Sequence, residues 1–293
     1  MKPFLDALAD AIAAATGTPF APQSTRTAHG GDISDAFTLS DGTRRFFVKT
    51  QPAARLDMFE AEAAGLADLA AAQAVRVPAV IAHGKAAGRA YLVLEALSLG
   101  GRGDAARLGR QLAQQHRVSA ARFGGARDNW IGSTPQPNGW LDDWIAFWRE
   151  RRLGHQLALA ARNGYGGALQ RDGEALLARV ADFFTGCRPQ PSLLHGDLWG
   201  GNHGFLDDGT PVIFDPAVYY GDRECDLAMS ELFGGFAPAF HAAYREAWPL
   251  DAGYAVRKHL YNLYHVLNHA NLFGGGYAAQ AQRMIGGLLA ELR

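Results

Sequence analysis

Cysteine is nearly absent: Cys187 and Cys225 are the only two in 293 residues. That is too few for a disulfide framework, and they lack the paired spacing of a zinc knuckle, so a reducing cytoplasm is the expected setting. A dominant charge is missing as well, because 28 Lys and Arg face 29 Asp and Glu for a net charge of −1. No global field draws the chain to nucleic acid or to an anionic bilayer, and neither is expected as a partner. Apolar runs of membrane-spanning length, about 20 residues, are lacking too. The alanine-rich start from Phe4 to Thr16 resembles a signal peptide only in composition. Asp6 and Asp10 interrupt it, and Phe4, Leu5, Leu8 and Ile12 trace one helical face. What is present, 48% hydrophobic and 19% charged residues without an internal repeat, suits a globular chain long enough for two lobes.

The most informative stretch is Leu193-Leu194-His195-Gly196-Asp197-Leu198-Trp199-Gly200-Gly201-Asn202, followed by Pro211-Val212-Ile213-Phe214-Asp215. A histidine precedes an acid, an asparagine follows that acid, and a second acid closes an apolar run, which is the layout of a kinase catalytic loop and its metal-binding aspartate. Phosphoryl transfer asks a protein to position reactants and to neutralise charge on phosphate oxygens. It needs one carboxylate at the acceptor hydroxyl and separate oxygen ligands for Mg2+. Asp197 is the candidate base, and Asn202 and Asp215 are the candidate metal ligands. Each alone has an ordinary alternative, as a turn cap or a turn start. Trp199, two residues past the base, is a candidate acceptor contact through its ring.

Upstream, extended segments from Thr25 to Ala28, at Phe37-Thr38-Leu39 and at Arg45 to Lys49 are punctuated by His29-Gly30-Gly31-Asp32-Ile33-Ser34 and by Asp41-Gly42, which predicts two hairpins. Gly30, Gly31 and Ser34 form a candidate loop over a triphosphate, since paired glycines let backbone amides approach phosphates; an ordinary hairpin turn fits equally. Lys49 at the end of an apolar strand should lie near an edge or meet a carboxylate. The helical spacing from Leu56 to Ala72 supplies Glu60 and Glu62, of which Glu62 is preferred by its place on the wheel. Val75 to Ala82 and Tyr91 to Leu97 are read as two further strands, for a sheet of about five, with Glu95 and Leu97 as candidate nucleotide contacts. Gly100 and Gly101 mark a hinge. The expected division is 1–97 and 98–293.

Gly101-Arg102-Gly103-Asp104-Ala105-Ala106 imitates a dinucleotide fingerprint, but no acid follows at the end of a second strand, and Asp104 is better read as a helix N-cap. Helices are expected at Leu108 to Arg117, Leu141 to Arg162, Gly173 to Thr185, Arg223 to Phe233, Pro238 to Trp248, Ala255 to Asn271 and Ala278 to Leu292. Phe123 to Trp140 reads as a long loop. His265 and His269 stand one turn apart, but their aromatic and amide neighbours favour packing over a metal. Trp144 and Trp148 are read as core, and Asp226 as a helix cap that braces the 193–202 loop.

Several stretches together resemble the fructosamine kinase, or ketosamine-3-kinase, family of the protein-kinase-like and aminoglycoside-phosphotransferase-like group. They are His195 to Asn202, Asp215-Pro216-Ala217 through Tyr219-Tyr220-Gly221 with Arg223-Glu224 and Asp226-Leu227-Ala228, and Asn129 with Ile131-Gly132-Ser133-Thr134-Pro135-Gln136 and Asn138. The run from Leu263 to Gly274 is similar too. The resemblance implies an α+β, bilobal protein-kinase-like fold with a small sheet-bearing lobe and a larger helical one. It implies ATP and Mg2+ as cofactors and transfer of the γ-phosphoryl to a hydroxyl of a free or protein-bound ketosamine, which makes the adduct labile and reverses glycation. Carried over by motif, Asp197 is the base, Asn202 and Asp215 bind metal, Lys49 holds phosphate, and Trp199, with Asn129 and Gln136 of the matching loop, serves the substrate. Asp32 stands where some relatives have cysteine, and no activation segment of protein-kinase length follows Asp215. The rival readings are a kinase of another small alcohol and a nucleotide-binding pseudokinase.

Overall fold

A computed structural model describes residues 2–27 and 34–292. In chain order, α1 (Lys2–Thr16), β1 (Ser24–Thr27), β2 (Asp35–Ser40), β3 (Arg45–Pro52), α2 (Leu56–Ala71), β4 (Val80–Ala86) and β5 (Arg89–Glu95) come first. Next are α3 (Ala105–His116), β6 (Asn129–Ile131), β7 (Thr134–Gln136), α4 (Trp144–Phe147), α5 (Gly154–Arg162), α6 (Ala168–Ala178) and β8 (Ser192–Leu194). β9 (His203–Phe205), β10 (Pro211–Ile213), β11 (Tyr219–Gly221), α7 (Glu224–Leu232), α8 (Pro238–Ala247), α9 (Tyr254–Phe273) and α10 (Tyr277–Glu291) follow. Two units result: Met1–Asp104 with Gly204–Asp215, and Ala105–His203 with Pro216–Arg293.

The first unit is built on an antiparallel sheet of order β1-β2-β3-β5-β4. Alternation along β3 sends Phe46 and Val48 to one face, where they join Phe4, Leu8 and Ile12 of α1 in a single core. Lys49 takes the other face. β3 runs on to Pro52, so Lys49 sits inside the strand rather than at its end. β4 begins at Val80, later than the strand expected from Val75. Pro78 offers no N–H to a ladder, and Val75 and Val77 are buried outside any strand, beside the parallel bridge from Arg76 to Val212. That bridge, together with the one from Leu99 to Leu206, ties the β9–β10 ribbon into this unit, which is why it takes in 204–215 as well as the 1–97 segment expected. The fingerprint-like glycines have their explanation here. A Cβ on Gly101 would lie 2.0 Å from the Leu206 carbonyl oxygen, and one on Gly103 would enter the Phe205 ring.

The second unit packs helices around α9, with Trp144, Phe147, Trp148, Leu157, Leu260, Tyr261 and Leu267 in one core. Trp144 and Trp148 are buried, as their spacing requires. The 123–140 loop carries the β6–β7 hairpin, which turns at Gly132 with φ 64°. The helix expected from Leu141 starts at Trp144, where the Asp143 carboxylate accepts from Ala146 N at 2.7 Å, and it widens into a π-turn over Trp148–Leu153 before α5. α6 ends at Ala178 and a 3-10 turn covers Val180–Phe184, so the helix expected over 173–185 is two elements.

Gly109 of α3 is buried where a Cβ would come within 2.2 Å of the Phe240 carbonyl oxygen in α8. Gly109→Ala should therefore part these helices at a cost of about 2 kcal/mol, the scale of core overpacking. A melting temperature lowered by roughly 4–8 °C is expected; an unchanged melt would show that α3 and α8 do not touch as described.

Candidate active site

Within the first unit, two carboxylates from distant segments converge on one ammonium. Lys49 faces α2, whose buried stripe of Phe59, Ala63 and Leu66 also carries Glu62, three residues after Phe59 and four before Leu66. Lys49 Nζ donates to Glu62 Oε1 at 2.7 Å and to Asp215 Oδ1 at 2.8 Å. Glu60 makes no such contact with Lys49, so the wheel position separates the two glutamates as expected. Burial works against the charged amine, but Asp215 and Glu62 outweigh it and raise the Lys49 pKa far above its ordinary value. Glu62 is pushed upward by burial, with Lys49 opposing and Asp215 reinforcing, because two carboxylates share one cation. Asp215 has φ 56°, a left-handed conformation uncommon outside glycine. The chain turns there immediately after β10.

The second unit shapes the 193–202 loop. β8 pairs antiparallel with β11, aligning Leu194 with Tyr219. Beyond β8 the backbone turns at Gly196, φ 83°, where a Cβ would lie 2.0 Å from the Ala217 carbonyl oxygen. His195 is fully buried, and its Nδ1 accepts from Asp197 N at 3.2 Å. Asn202 Nδ2 donates to Asp197 O at 2.9 Å and Oδ2 at 3.3 Å, so the amide nitrogen faces the carboxylate and the amide oxygen lies on its other side. Trp199 is 40% exposed, an accessible ring two residues from Asp197.

A buried carboxylate holds this loop. Asp226 Oδ2 accepts from His195 N at 2.7 Å, and Oδ1 accepts from Gly196 N at 2.9 Å. His116 Nε2 lies 3.1 Å from Oδ2, and His116 Nδ1 lies 2.8 Å from the Tyr244 hydroxyl. Burial alone would raise the Asp226 pKa, but the hydrogen bond from His116, the two neighbouring imidazole rings and the Gly196 amide hold it below the ordinary carboxylate value. Its contribution to stability is therefore complete at neutral pH and is lost only as pH falls through that lowered pKa. Asp226 braces the loop but caps no helix. It lies within α7, and Asp222 is the residue that accepts from Glu224 N, at 3.1 Å.

Other expected site residues have distinct surroundings. Asn129 and Gln136 are both buried, with Asn129 Nδ2 donating to Val218 O at 2.8 Å and Gln136 Nε2 to Ala217 O at 3.2 Å. Both thus bond the backbone that lies opposite His195. Glu95 is paired with Arg76 and accepts from Ala79 N at 3.1 Å, while Leu97 follows β5 in irregular, half-buried chain. Ser34 Oγ accepts from Gln51 Nε2 at 3.0 Å. Gly30 and Gly31 lie outside the described residues. His265 is packed inside α9, and burial lowers its pKa to about 3, with His269 adding to the effect, so the ring is neutral at physiological pH. Among the described residues no group of three His, Cys, Asp or Glu side chains gathers as a metal cluster. Sequence reasoning missed His116 and Tyr244, whose only signal is polar residues on otherwise apolar helix faces.

A five-stranded antiparallel sheet with a strand lysine held by a helix glutamate, and a helical unit carrying the His195–Asn202 loop, define a protein-kinase-like phosphotransferase. The model of the fructosamine kinase family matches residues 4–291. A probable ketoamine kinase of Synechocystis is 50% identical over 281 residues, covering 95% of this chain and 94% of that protein. The chloroplastic protein-ribulosamine 3-kinase of Arabidopsis thaliana is 44% identical over 269 residues, 90% of this chain and 82% of that one. The crystal structure of a putative fructosamine-3-kinase from Haemophilus somnus superposes with a TM-score of 0.89 at 31% identity, covering 96% of each chain. The chain belongs to the fructosamine kinase family.

Asp226→Asn replaces one acceptor oxygen by a donor facing backbone N–H groups. Breaking a buried charged network of this kind costs about 3 kcal/mol. The melting temperature should fall by roughly 6–12 °C, and an unaltered melt would remove Asp226 as the brace of the loop.

Proposed function

We propose that this protein is an ATP-dependent ketosamine kinase that phosphorylates a sugar hydroxyl of fructosamine- or ribulosamine-type adducts and so initiates deglycation. The observation that carries the reading is the shared ammonium of Lys49, held by Glu62 and Asp215. A lysine fixed in this way is preset to meet the α- and β-phosphates of a nucleotide, and family membership supports ATP as the donor. Ser34 serves the triphosphate, and the chain around Glu95 and Leu97 meets the base.

Asp197 orients the acceptor hydroxyl and takes its proton as the oxygen attacks the γ-phosphorus; the bond from that phosphorus to the bridging oxygen breaks and ADP leaves. Asp215 and Asn202 offer a carboxylate and an amide oxygen, the hard donors that suit Mg2+, and both would hold it. When bound, the ion neutralises charge on the phosphate oxygens. Trp199 presents an exposed ring to the sugar or its amine substituent. Gln136 and Asn129 act through the backbone at 217–218. The proposed compartment is the cytoplasm, where the free thiols of Cys187 and Cys225 stay reduced.

Asp197→Asn should lower kcat by about 100-fold or more while the KM for ATP stays within about twofold. Turnover equal to the parent enzyme would remove Asp197 as the base. In an acceptor panel, ribulosamine and fructosamine adducts should give a higher kcat/KM than aminoglycosides, choline or free sugars. A leading aminoglycoside or choline would overturn the acceptor assignment.

A further inference from the structure

Arg152 has no exposed surface and forms no ion pair among the described residues. A guanidinium buried without a carboxylate is costly unless other groups compensate. Here carbonyl oxygens meet both terminal nitrogens and aromatic faces cover the plane, while Nε has no hydrogen-bond partner among the described residues. Nη1 donates to Pro137 O at 2.6 Å, Nη2 donates to Asn138 Oδ1 at 2.6 Å, and the guanidinium carbon lies 4.0 Å from the Tyr219 ring centroid and 4.7 Å from that of Phe147. Arg152 reaches this place because the π-turn inserts one residue into the helix, turning Arg152 and Leu153 inward where a regular repeat favours Arg151. Gly154 permits that turn: its N–H donates to Arg149 O, and a Cβ at Gly154 would lie 2.5 Å from that oxygen.

From Arg152 a chain of side-chain amides runs to the backbone opposite His195. Asn138 Nδ2 donates to Asn129 Oδ1 at 2.8 Å, Gln136 Nε2 donates to the same oxygen at 2.8 Å, and Asn129 Nδ2 donates to Val218 O at 2.8 Å. Gln136 Nε2 also reaches Ala217 O, and its Oε1 accepts from the Tyr264 hydroxyl at 2.6 Å. Ala217 N in turn donates to His195 O at 2.8 Å. An amide's oxygen and nitrogen are nearly equal in size, so packing alone does not decide which way such a chain points. A guanidinium only donates. With donor-only Arg152 at its head and the acceptor-only carbonyls of 217 and 218 at its foot, both ends demand one direction: Asn138 offers its oxygen to Arg152 and its nitrogen to Asn129, and Asn129 and Gln136 turn their nitrogens to the carbonyls.

We infer that Arg152 is a positioning residue for phosphoryl transfer: it sets the direction of this relay and thereby holds 217–219 against His195 and Gly196, just before Asp197. The inference rests on the proposed kinase function for its kinetic arm, but its structural arm stands apart. Lysine, also donor-only, keeps the polarity, whereas glutamine, both donor and acceptor, releases it.

The test compares full-length Arg152→Gln, Arg152→Lys and Gln136→Glu with the parent enzyme, using the best ketosamine of the panel and hydrogen–deuterium exchange of peptides spanning 192–198 and 216–222. Arg152→Gln should lower kcat by about tenfold or more, because small misplacements of reacting groups are expensive, with the KM for ATP within about twofold. Arg152→Lys should recover most of the loss. Exchange in both peptides should quicken in Arg152→Gln while α10 is unchanged. Gln136→Glu, an isosteric change that sets an acceptor against Asn129 Oδ1 and Ala217 O, should quicken exchange at 216–222 even where Arg152→Gln fails to fold. Equal losses in the glutamine and lysine variants that track the folded fraction, or parent-like exchange in Gln136→Glu, would overturn the inference. If the parent phosphorylates no ketosamine, the acceptor assignment fails instead, and exchange still decides the relay.

Discussion

A single buried carboxylate carries the loop on which the proposed chemistry depends. Asp226 accepts from two successive backbone amides, His195 N and Gly196 N, and this fixes the chain just as it enters the left-handed turn at Gly196. A carboxylate can do this because it has two oxygens and no donor, so it suits two converging N–H groups without repelling either. His116 completes the arrangement by facing the same carboxylate from α3, and Tyr244 faces His116 from α8. The close approach that Gly109 allows between α3 and α8 is thus linked, through His116 and Asp226, to the position of the backbone turn at Gly196, immediately before Asp197. Ordering of that turn occurs during folding, so the entropy of positioning is not lost again when substrate binds.

The first unit meets a different constraint. Lys49 is buried on a central strand, and a lone ammonium there would be strongly disfavoured. Glu62 and Asp215 stabilise it from two segments far apart in sequence, and each carboxylate has its own access: Glu62 from the apolar stripe of α2, Asp215 through a left-handed turn after β10. The ribbon of β9 and β10 is carried to this place by the bridges to Arg76 and Leu99, and by glycines at 101 and 103 that leave room for Leu206 and Phe205. Backbone approach, strain at one residue and a charge pair are therefore parts of one local solution.

How far the sequence revealed these features depended on how local their causes were. Glu62 was distinguishable from Glu60 because a helix wheel is a local property, and Trp144 and Trp148 declared themselves core by the same periodicity. The fingerprint at Gly101 was correctly set aside, but its glycines had no visible purpose, since the residues they accommodate come about a hundred positions later. The start of β4 was misplaced because Val75 and Val77 are apolar for burial rather than for strand pairing. Helical spacing from Leu141 to Arg162 hid the π-turn, where one inserted residue exchanges Arg151 for Arg152 on the inner face. Asn129 and Gln136 stood out as polar residues in a recognisable motif, but nothing nearby in sequence could tell a contact with substrate from a contact with Ala217 and Val218.

The contrast between the two supports of the loop follows from backbone hydrogen bonding. β8 and β11 are only three residues each, too short for their ladder to satisfy the chain on either side. After β8 the unmatched groups are the N–H of His195 and of Gly196, and the group that meets them is an acceptor, Asp226. Before β11 the groups to be met are the C=O of Ala217 and of Val218, and donors meet them, from Gln136 and Asn129. An acceptor-only carboxylate is the natural terminus of the first support, and a donor-only guanidinium, Arg152, is the natural terminus of the second. Opposite charges at the two ends are thus the outcome of one short strand pair exposing donors on one side and acceptors on the other.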